Sequence, residues 1–228
     1  MISMKKAFAI AALLASAALP ATAATIDFTA ASTGTSGTIA GTTWTMSSNV
    51  GTLNNSQKFD GQDSLSSLGG TGLAFQTDGY GVRSKYDSQR NDDEITSITA
   101  GMEAVTIAFA KPVLLTGISF LDLYLPRTGG AGEVGYAKLS DGTILSVAAT
   151  DLANIPSKTF RAGYAALSTL GIKTKSISIY MGLTNDLQGN ADGALASVSV
   201  APVPLPAAGL MLMAGLGGLT ALRRKKRA

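Results

Sequence analysis

Neither histidine nor cysteine occurs among the 228 residues of the chain. Without cysteine no disulfide can form, so a hydrophobic core has to hold any folded domain together, and the chain is long enough to build one. Without histidine the commonest general base and the commonest metal ligand are missing. These absences exclude Ser-His-Asp catalysis, Cys-His catalysis and histidine-ligated zinc sites.

Positive charge is scarce between the two ends of the chain. Of the 18 lysines and arginines, seven lie in the terminal segments, so 11 remain beside all 15 acidic residues and the middle carries a net charge of −4. Binding to nucleic acid requires a basic patch on the folded domain itself. The composition therefore argues against a nucleic-acid partner.

The first 23 residues have the three parts of a secretory signal peptide. Lys5 and Lys6 precede an apolar run over residues 7–19, and Ala21 and Ala23 form a small-residue cleavage site. The apolar run is shorter than the roughly 20 residues that span a bilayer. We therefore expect export through the Sec translocon and removal of residues 1–23 by signal peptidase.

The end of the chain combines a proline-rich connector, an apolar segment and a basic tail. Residues 201–206 contain three prolines, residues 207–222 carry no charge, and residues 223–228 form the tail. An uncharged helix of this length is just long enough to cross a bilayer. By the positive-inside rule, the charges stay in the cytoplasm and the domain lies outside the inner membrane. These charges are Arg223, Arg224, Lys225, Lys226 and Arg227.

This terminal segment resembles the PEP-CTERM class of bacterial sorting signals, in its VPLPA variant. The motif consists of Val203, Pro204, Leu205, Pro206 and Ala207. The resemblance implies recognition by an exosortase, a membrane thiol peptidase that cleaves near the prolines. It also implies a Gram-negative bacterium that makes exopolysaccharide or biofilm, with the protein released to the cell surface or the extracellular matrix.

Residues 24–200 consist of short alternating runs separated by Gly, Asp and Asn, which predicts an all-β, antiparallel β-sandwich of jelly-roll type. Asp141-Gly142 lies between two alternating runs and predicts a hairpin. The apolar run over residues 113–124 predicts a core strand with a bulge at Gly117, separated from the preceding strand by Pro112. Residues 160–170 are alanine-rich and predict a short helix.

Two acidic loops are candidate calcium sites, because Ca²⁺ prefers oxygen ligands. One contains Asp92 and Asp93, and the other contains Asp186 and Asp192. Turn formation is the other explanation for such clusters. The sequence does not pair the two loops, and it indicates no other cofactor.

Glycoside hydrolysis needs two carboxyls, which could come from Glu94, Glu103, Asp122 and Glu133, but solvated strand faces explain such residues equally well. The aromatic residues Trp44, Tyr80, Tyr86 and Tyr124 could stack on sugar rings or be buried in the core. The sequence thus favours a non-enzymatic, exported protein with a structural or adhesive role in exopolysaccharide or biofilm. The alternatives are a carbohydrate-binding or calcium-stabilised module and, third, a secreted glycosidase.

Overall fold

The computed structural model describes residues 22–59, 61, 68–85, 94–98, 101–126, 131–152, 162–182 and 190–204. The described residues form β-strands joined by turns, and the main sheet is antiparallel throughout, which confirms the predicted class. The strands are β1 (Ala24–Asp27), β2 (Ser36–Ile39), β3 (Thr42–Ser48), β4 (Thr52–Asn54), β5 (Gly81–Arg83), β6 (Ser97–Ile98), β7 (Gly101–Met102), β8 (Val105–Leu121), β9 (Tyr124–Leu125), β10 (Val134–Leu139), β11 (Ile144–Ala148), β12 (Asp151–Leu152), β13 (Ala165–Met181), β14 (Asn190–Ala191) and β15 (Ala194–Pro202).

The main sheet has eight strands in the order β1-β15-β8-β13-β10-β11, with β3 also paired to β8 and β2 paired to β3. The two 17-residue strands β8 and β13 pair from Val105 to Phe120. Along its other edge, β8 pairs first with β3 and then with β15. The sheet is divided where β8 changes partner. The β15 half consists of β1, β15, residues 113–121 of β8 and residues 165–174 of β13. The β3 half consists of β2, β3, β10, β11, residues 105–109 of β8 and residues 176–181 of β13.

Pro112 does not end a strand as the sequence predicted, because β8 runs through it. It lies between the pairs Ala108–Ser176 and Val113–Thr174, where the register with β13 shifts. Proline cannot donate a backbone hydrogen bond and is therefore tolerated at a strand irregularity. It marks the place where β8 passes from one half of the sheet to the other.

A bulge lies in β8 where the sequence predicted one. On β15 the consecutive residues Ser199 and Val200 pair with Gly117 and Leu115, so Thr116 has no partner on that strand. A bulge of this kind turns the local side chains and increases the twist of the strand. In β8 the side chains that face the core belong to odd-numbered residues before the bulge and to even-numbered residues after it. Leu115 and Ile118, on either side of the bulge, both belong to the core.

Both halves contribute to one hydrophobic core. Ile107 and Ile177 come from the β3 half, whereas Ile118 and Val198 come from the β15 half. Phe28, directly after β1, packs edge-on against Trp44 of β3 with ring centroids 5.8 Å apart, and against Tyr80 at 5.7 Å. This aromatic contact joins the two halves across the core.

A second apolar cluster covers part of the opposite face of the β15 half. Leu121 and Ala196 contribute from the sheet, and Phe59, Leu68 and Phe75 come from the segment between β4 and β5. As a result β15 is buried on both faces along most of its length. This explains why residues 194–200 alternate between small and larger apolar side chains rather than between apolar and charged ones.

The predicted hairpin is present as β10 and β11, with Lys138 opposite Ile144 and the Asp141 carboxylate accepting the Thr143 amide at 2.9 Å. The helix predicted over residues 160–170 is wrong for the described residues, because β13 begins at Ala165. Gly163 has a φ of +61° in the turn before it, and a Cβ there would lie 2.5 Å from the Leu123 amide nitrogen. Pairing with β8 therefore overrides the alanine preference for helix.

We expect Phe28→Ala to destabilise the domain by about 3–5 kcal/mol, since it removes a fully buried ring from the junction of the two halves. The measurement is the free energy of unfolding from urea denaturation. Ile144→Ala is the matched control, because Ile144 is 54% exposed and should change the free energy by less than about 0.5 kcal/mol. Equal effects of the two substitutions would contradict the central position assigned to Phe28.

Candidate functional site

The solvent face of the β3 half carries two stacked tyrosines. Tyr136 of β10 lies directly opposite Tyr180 of β13, and the rings stack with centroids 5.3 Å apart and an interplanar angle of 9°. Both residues are half-buried, so part of each ring meets solvent. A Cβ at Gly182 would lie 2.5 Å from Tyr136 Cε2, so only glycine leaves room for the ring in this position.

Polar side chains extend from this pair across the sheet. Lys138, Ser178, Thr106 and Ser47 lie in successive register positions on β10, β13, β8 and β3. Thr106 Oγ1 donates a hydrogen bond of 3.2 Å to Ser178 Oγ. We call this surface, together with Tyr136 and Tyr180, the tyrosine face. It combines aromatic surface with hydroxyl groups and one cation, a mixture suited to sugar rings.

Sequence reasoning missed Tyr136 and Tyr180. The signal was present, because each tyrosine takes a polar-face position in an alternating strand whose inward residues are apolar, such as Ala137 and Ile179. The pairing of the two tyrosines, however, depends on the register between β10 and β13, which are separated in the sequence. The chain alone does not specify that register.

The aromatic residues selected from the sequence lie elsewhere. Trp44 and Tyr80 are buried in the core against Phe28, and the Tyr80 hydroxyl donates to the Thr33 carbonyl at 3.0 Å. Tyr124 is half-buried, and Tyr86 lies outside the described residues. Trp44 and Tyr80 thus follow the core interpretation rather than the sugar-stacking one.

Two acids, the buried Glu133 and the half-buried Asp192, meet just before β15 begins. Glu133 is 8% exposed, and its Oε2 accepts the Tyr124 amide at 2.6 Å while its Oε1 accepts the Asp192 amide at 3.5 Å. Burial, together with a hydrogen bond to the Asp192 carboxylate and the charge of that carboxylate, raises the pKa of Glu133 to about 10, although the backbone amides of Tyr124 and Asp192 act in the opposite direction. With this pKa Glu133 is protonated at neutral pH.

Of the residues proposed as calcium ligands, Asp92, Asp93 and Asp186 lie outside the described residues. Asp192 contacts Glu133, a residue that the sequence did not associate with it. In the described part of the chain, no three acidic side chains come together to form a metal site.

The other carboxyls considered for hydrolysis have separate environments. Glu103 is buried and its Oε2 accepts the Thr96 amide at 2.8 Å. Asp122 has a φ of +60° and accepts the Tyr124 hydroxyl at 3.4 Å. The backbone carbonyl of Glu94 accepts the Val82 amide at 2.9 Å. Each of the three therefore has a local structural partner.

Only the inner limits of the two segments predicted to be targeting signals fall in the described chain. Ala23 is exposed directly before β1, and Val203 and Pro204 follow β15. Ala21, Leu205, Pro206, Ala207, the apolar segment 207–222 and the basic residues Arg223, Arg224, Lys225, Lys226 and Arg227 lie outside it. The part of the chain that the structure describes holds no helix with the length and hydrophobicity of a membrane span.

No family model and no curated protein matches the chain. Among solved structures, the chain is similar to a module titled CpGH89CBM32-5 from Clostridium perfringens, in complex with GalNAc-β-1,3-galactose. The TM-score is 0.28 at 10% identity, covering 69% of this chain and 95% of the module. It is also similar to recombinant discoidin II of Dictyostelium discoideum, with a TM-score of 0.27 at 16% identity, covering 68% of this chain and 56% of discoidin II.

Stability should fall as the pH rises because of Glu133. An unfolded glutamate ionises near 4.5, whereas the folded one holds its proton to about 10, so the stabilisation is complete below pH 4.5 and is lost as the pH rises toward 10. The expected slope is roughly 1 kcal/mol per pH unit at most. Melting temperatures from pH 5 to pH 8 measure it.

Glu133→Gln keeps an acceptor for the Tyr124 amide but cannot ionise, so its melting temperature should fall much less over this range. Asp141→Asn is the control, since hydrogen bonds from Thr143 lower the pKa of this exposed turn carboxylate and it does not titrate there. The control should keep the wild-type slope. An unchanged slope in Glu133→Gln would contradict the raised pKa of Glu133.

Proposed function

We propose that this chain is an exported, non-enzymatic domain that binds polysaccharide of the cell envelope or extracellular matrix through its tyrosine face. The stacked pair of Tyr136 and Tyr180 is the observation that carries the proposal. Aromatic rings on a flat sheet face bind the apolar faces of sugar rings, and the hydroxyls of Ser178 and Thr106 can hydrogen-bond to sugar hydroxyls. The proposed role in the matrix is adhesive rather than catalytic.

Lys138 adds a positive charge beside the tyrosines. Many matrix polysaccharides carry carboxylates, which a lysine ammonium attracts. The attraction is screened by salt, whereas stacking on Tyr136 and Tyr180 is not. The proposal therefore favours an acidic polymer at low ionic strength.

The ends of the folded domain suit the proposed export route. Cleavage after Ala23 would leave all of β1 in place, since that strand begins at Ala24. Ala24 pairs with Val200 of β15, so the mature amino terminus and the start of the sorting segment lie on neighbouring strands. The tyrosine face belongs to the other half of the sheet.

We expect the double variant Tyr136→Ala, Tyr180→Ala to weaken polysaccharide binding by about tenfold or more, since each ring contributes around 1 kcal/mol. Affinity electrophoresis in gels containing alginate, xylan or dextran measures the retardation. Tyr136→Phe with Tyr180→Phe keeps the stack and should retain most binding. Met102→Ala, which changes an exposed apolar residue on β7 outside the tyrosine face, is the matched control.

The cross-strand pair also stabilises the sheet, so melting temperatures accompany each binding measurement. Folded alanine variants that retain full binding would refute the tyrosine face as the site. If none of the three polymers retards the wild-type protein, the domain does not bind these classes of polysaccharide.

Processing of the tail is tested by mass spectrometry of the mature protein from a host that carries an exosortase. The expected product begins at Ala24 and lacks the basic residues 223–227. Replacing Pro204 and Pro206 by alanine should leave the tail intact, because the sorting motif is lost. Wild-type protein that keeps residues 223–227 in its final location would refute processing and leave a plain membrane anchor.

A further inference from the structure

A small pocket lies on the outer face of the β15 half, away from the tyrosine face. Its volume is about 160 Å³, comparable to one pyranose ring, and strands β1, β8, β13 and β15 all contribute to it. Tyr164 and Leu73 border it, and the same two residues pack against the second apolar cluster. The pocket is thus the part of this sheet face that the covering segment leaves open.

Irregular strands build the pocket. The β8 bulge places both Thr116 and Gly117 in its lining, and the register of β13 shifts directly after Ser168. Gly117 provides space, since a Cβ there would lie 3.1 Å from the Leu167 carbonyl oxygen and 3.6 Å from the Ser199 Cβ. Bulges are typical of places where a sheet presents side chains to a ligand.

Hydroxyl groups dominate the polar part of the lining. Ser119 Oγ and Ser197 Oγ lie 2.5 Å apart, and Thr25 Oγ1 and Ser199 Oγ lie 2.7 Å apart. Since a hydroxyl has one donor and two acceptor positions, each pair keeps capacity for a further bond. Ser168 of β13, an exposed residue, adds a further hydroxyl to the lining.

None of the described residues that line the pocket carries a charge. A phosphate, a carboxylate or a cation would therefore lose its hydration without gaining a counter-charge. A compact neutral molecule with several hydroxyls suits this lining. Its polar edge can hydrogen-bond to the hydroxyl pairs, and its apolar face can pack against Tyr164 and Leu73. We propose that this pocket binds one neutral sugar residue, as a free monosaccharide or at the end of a glycan chain.

The pocket lies on the opposite half of the sheet from the tyrosine face, so this inference does not rest on the proposed function. The experiment is a titration of the ¹⁵N-labelled protein with the methyl glycosides of glucose, galactose and mannose, followed by NMR. We expect millimolar binding of at least one glycoside, with the largest amide shifts at Gly117, Ser119, Ser168 and Ser197. Glucuronate and glucose 6-phosphate should bind at least tenfold more weakly.

Two substitutions locate the site. Ala166→Trp fills the pocket from its exposed rim and should abolish the shifts, and Ser168→Ala removes one hydroxyl of the exposed lining and should weaken binding severalfold. Ala148→Trp adds the same ring at an exposed position on β11 outside the pocket and is the matched control. Melting temperatures show that each variant is folded.

The inference is overturned if no neutral glycoside shifts these amides at 50 mM, or if Ala166→Trp binds like the control. Free glycosides also bind independently of the tyrosine face, so the double variant Tyr136→Ala, Tyr180→Ala should titrate like wild type. Loss of the shifts in that variant would instead assign the glycoside to the tyrosine face. Polymer retardation without glycoside binding would leave the proposed function intact and refute the pocket.

Discussion

β8 and β13 pair over most of their length, and every other strand of the main sheet reaches them directly or through one neighbour. Since the chain has no cysteine, this ladder and the core beneath it take the place of disulfides. The β15 half and the β3 half are joined by the two strands themselves and by the packing of Phe28 on Trp44. Backbone hydrogen bonds along β8 and β13 and aromatic packing across the core thus both hold the β15 half and the β3 half together.

The two outer faces of the sheet differ because they are covered differently. The β3 half leaves its outer face to solvent, so alternation places Tyr136, Tyr180, Ser178 and Lys138 there. The β15 half is partly covered by the segment that contains Phe59 and Phe75, so small residues line its outer face. One outer face consequently carries a stacked aromatic pair, whereas the other holds a pocket lined by hydroxyls.

Local patterns predicted what depends on local chemistry. Alternation predicted the strands, Asp141-Gly142 the hairpin, and Gly117 the bulge. What depends on partners distant in the sequence was not predictable: the strand at residue 165, the passage of β8 through Pro112, and the contact between Glu133 and Asp192. The stacked tyrosines were missed for the same reason, because cross-strand register belongs to the fold as a whole.

The position of β15 has a mechanical consequence. It is an interior strand, bonded to β1 on one edge and to β8 on the other, and the chain leaves it at Pro202. A pull applied at Val203 acts along the strand axis and loads both hydrogen-bond ladders in shear, so many bonds have to break together. Peeling an edge strand would instead break them one at a time. Force applied at this end would therefore meet more resistance than the same force applied at an edge strand.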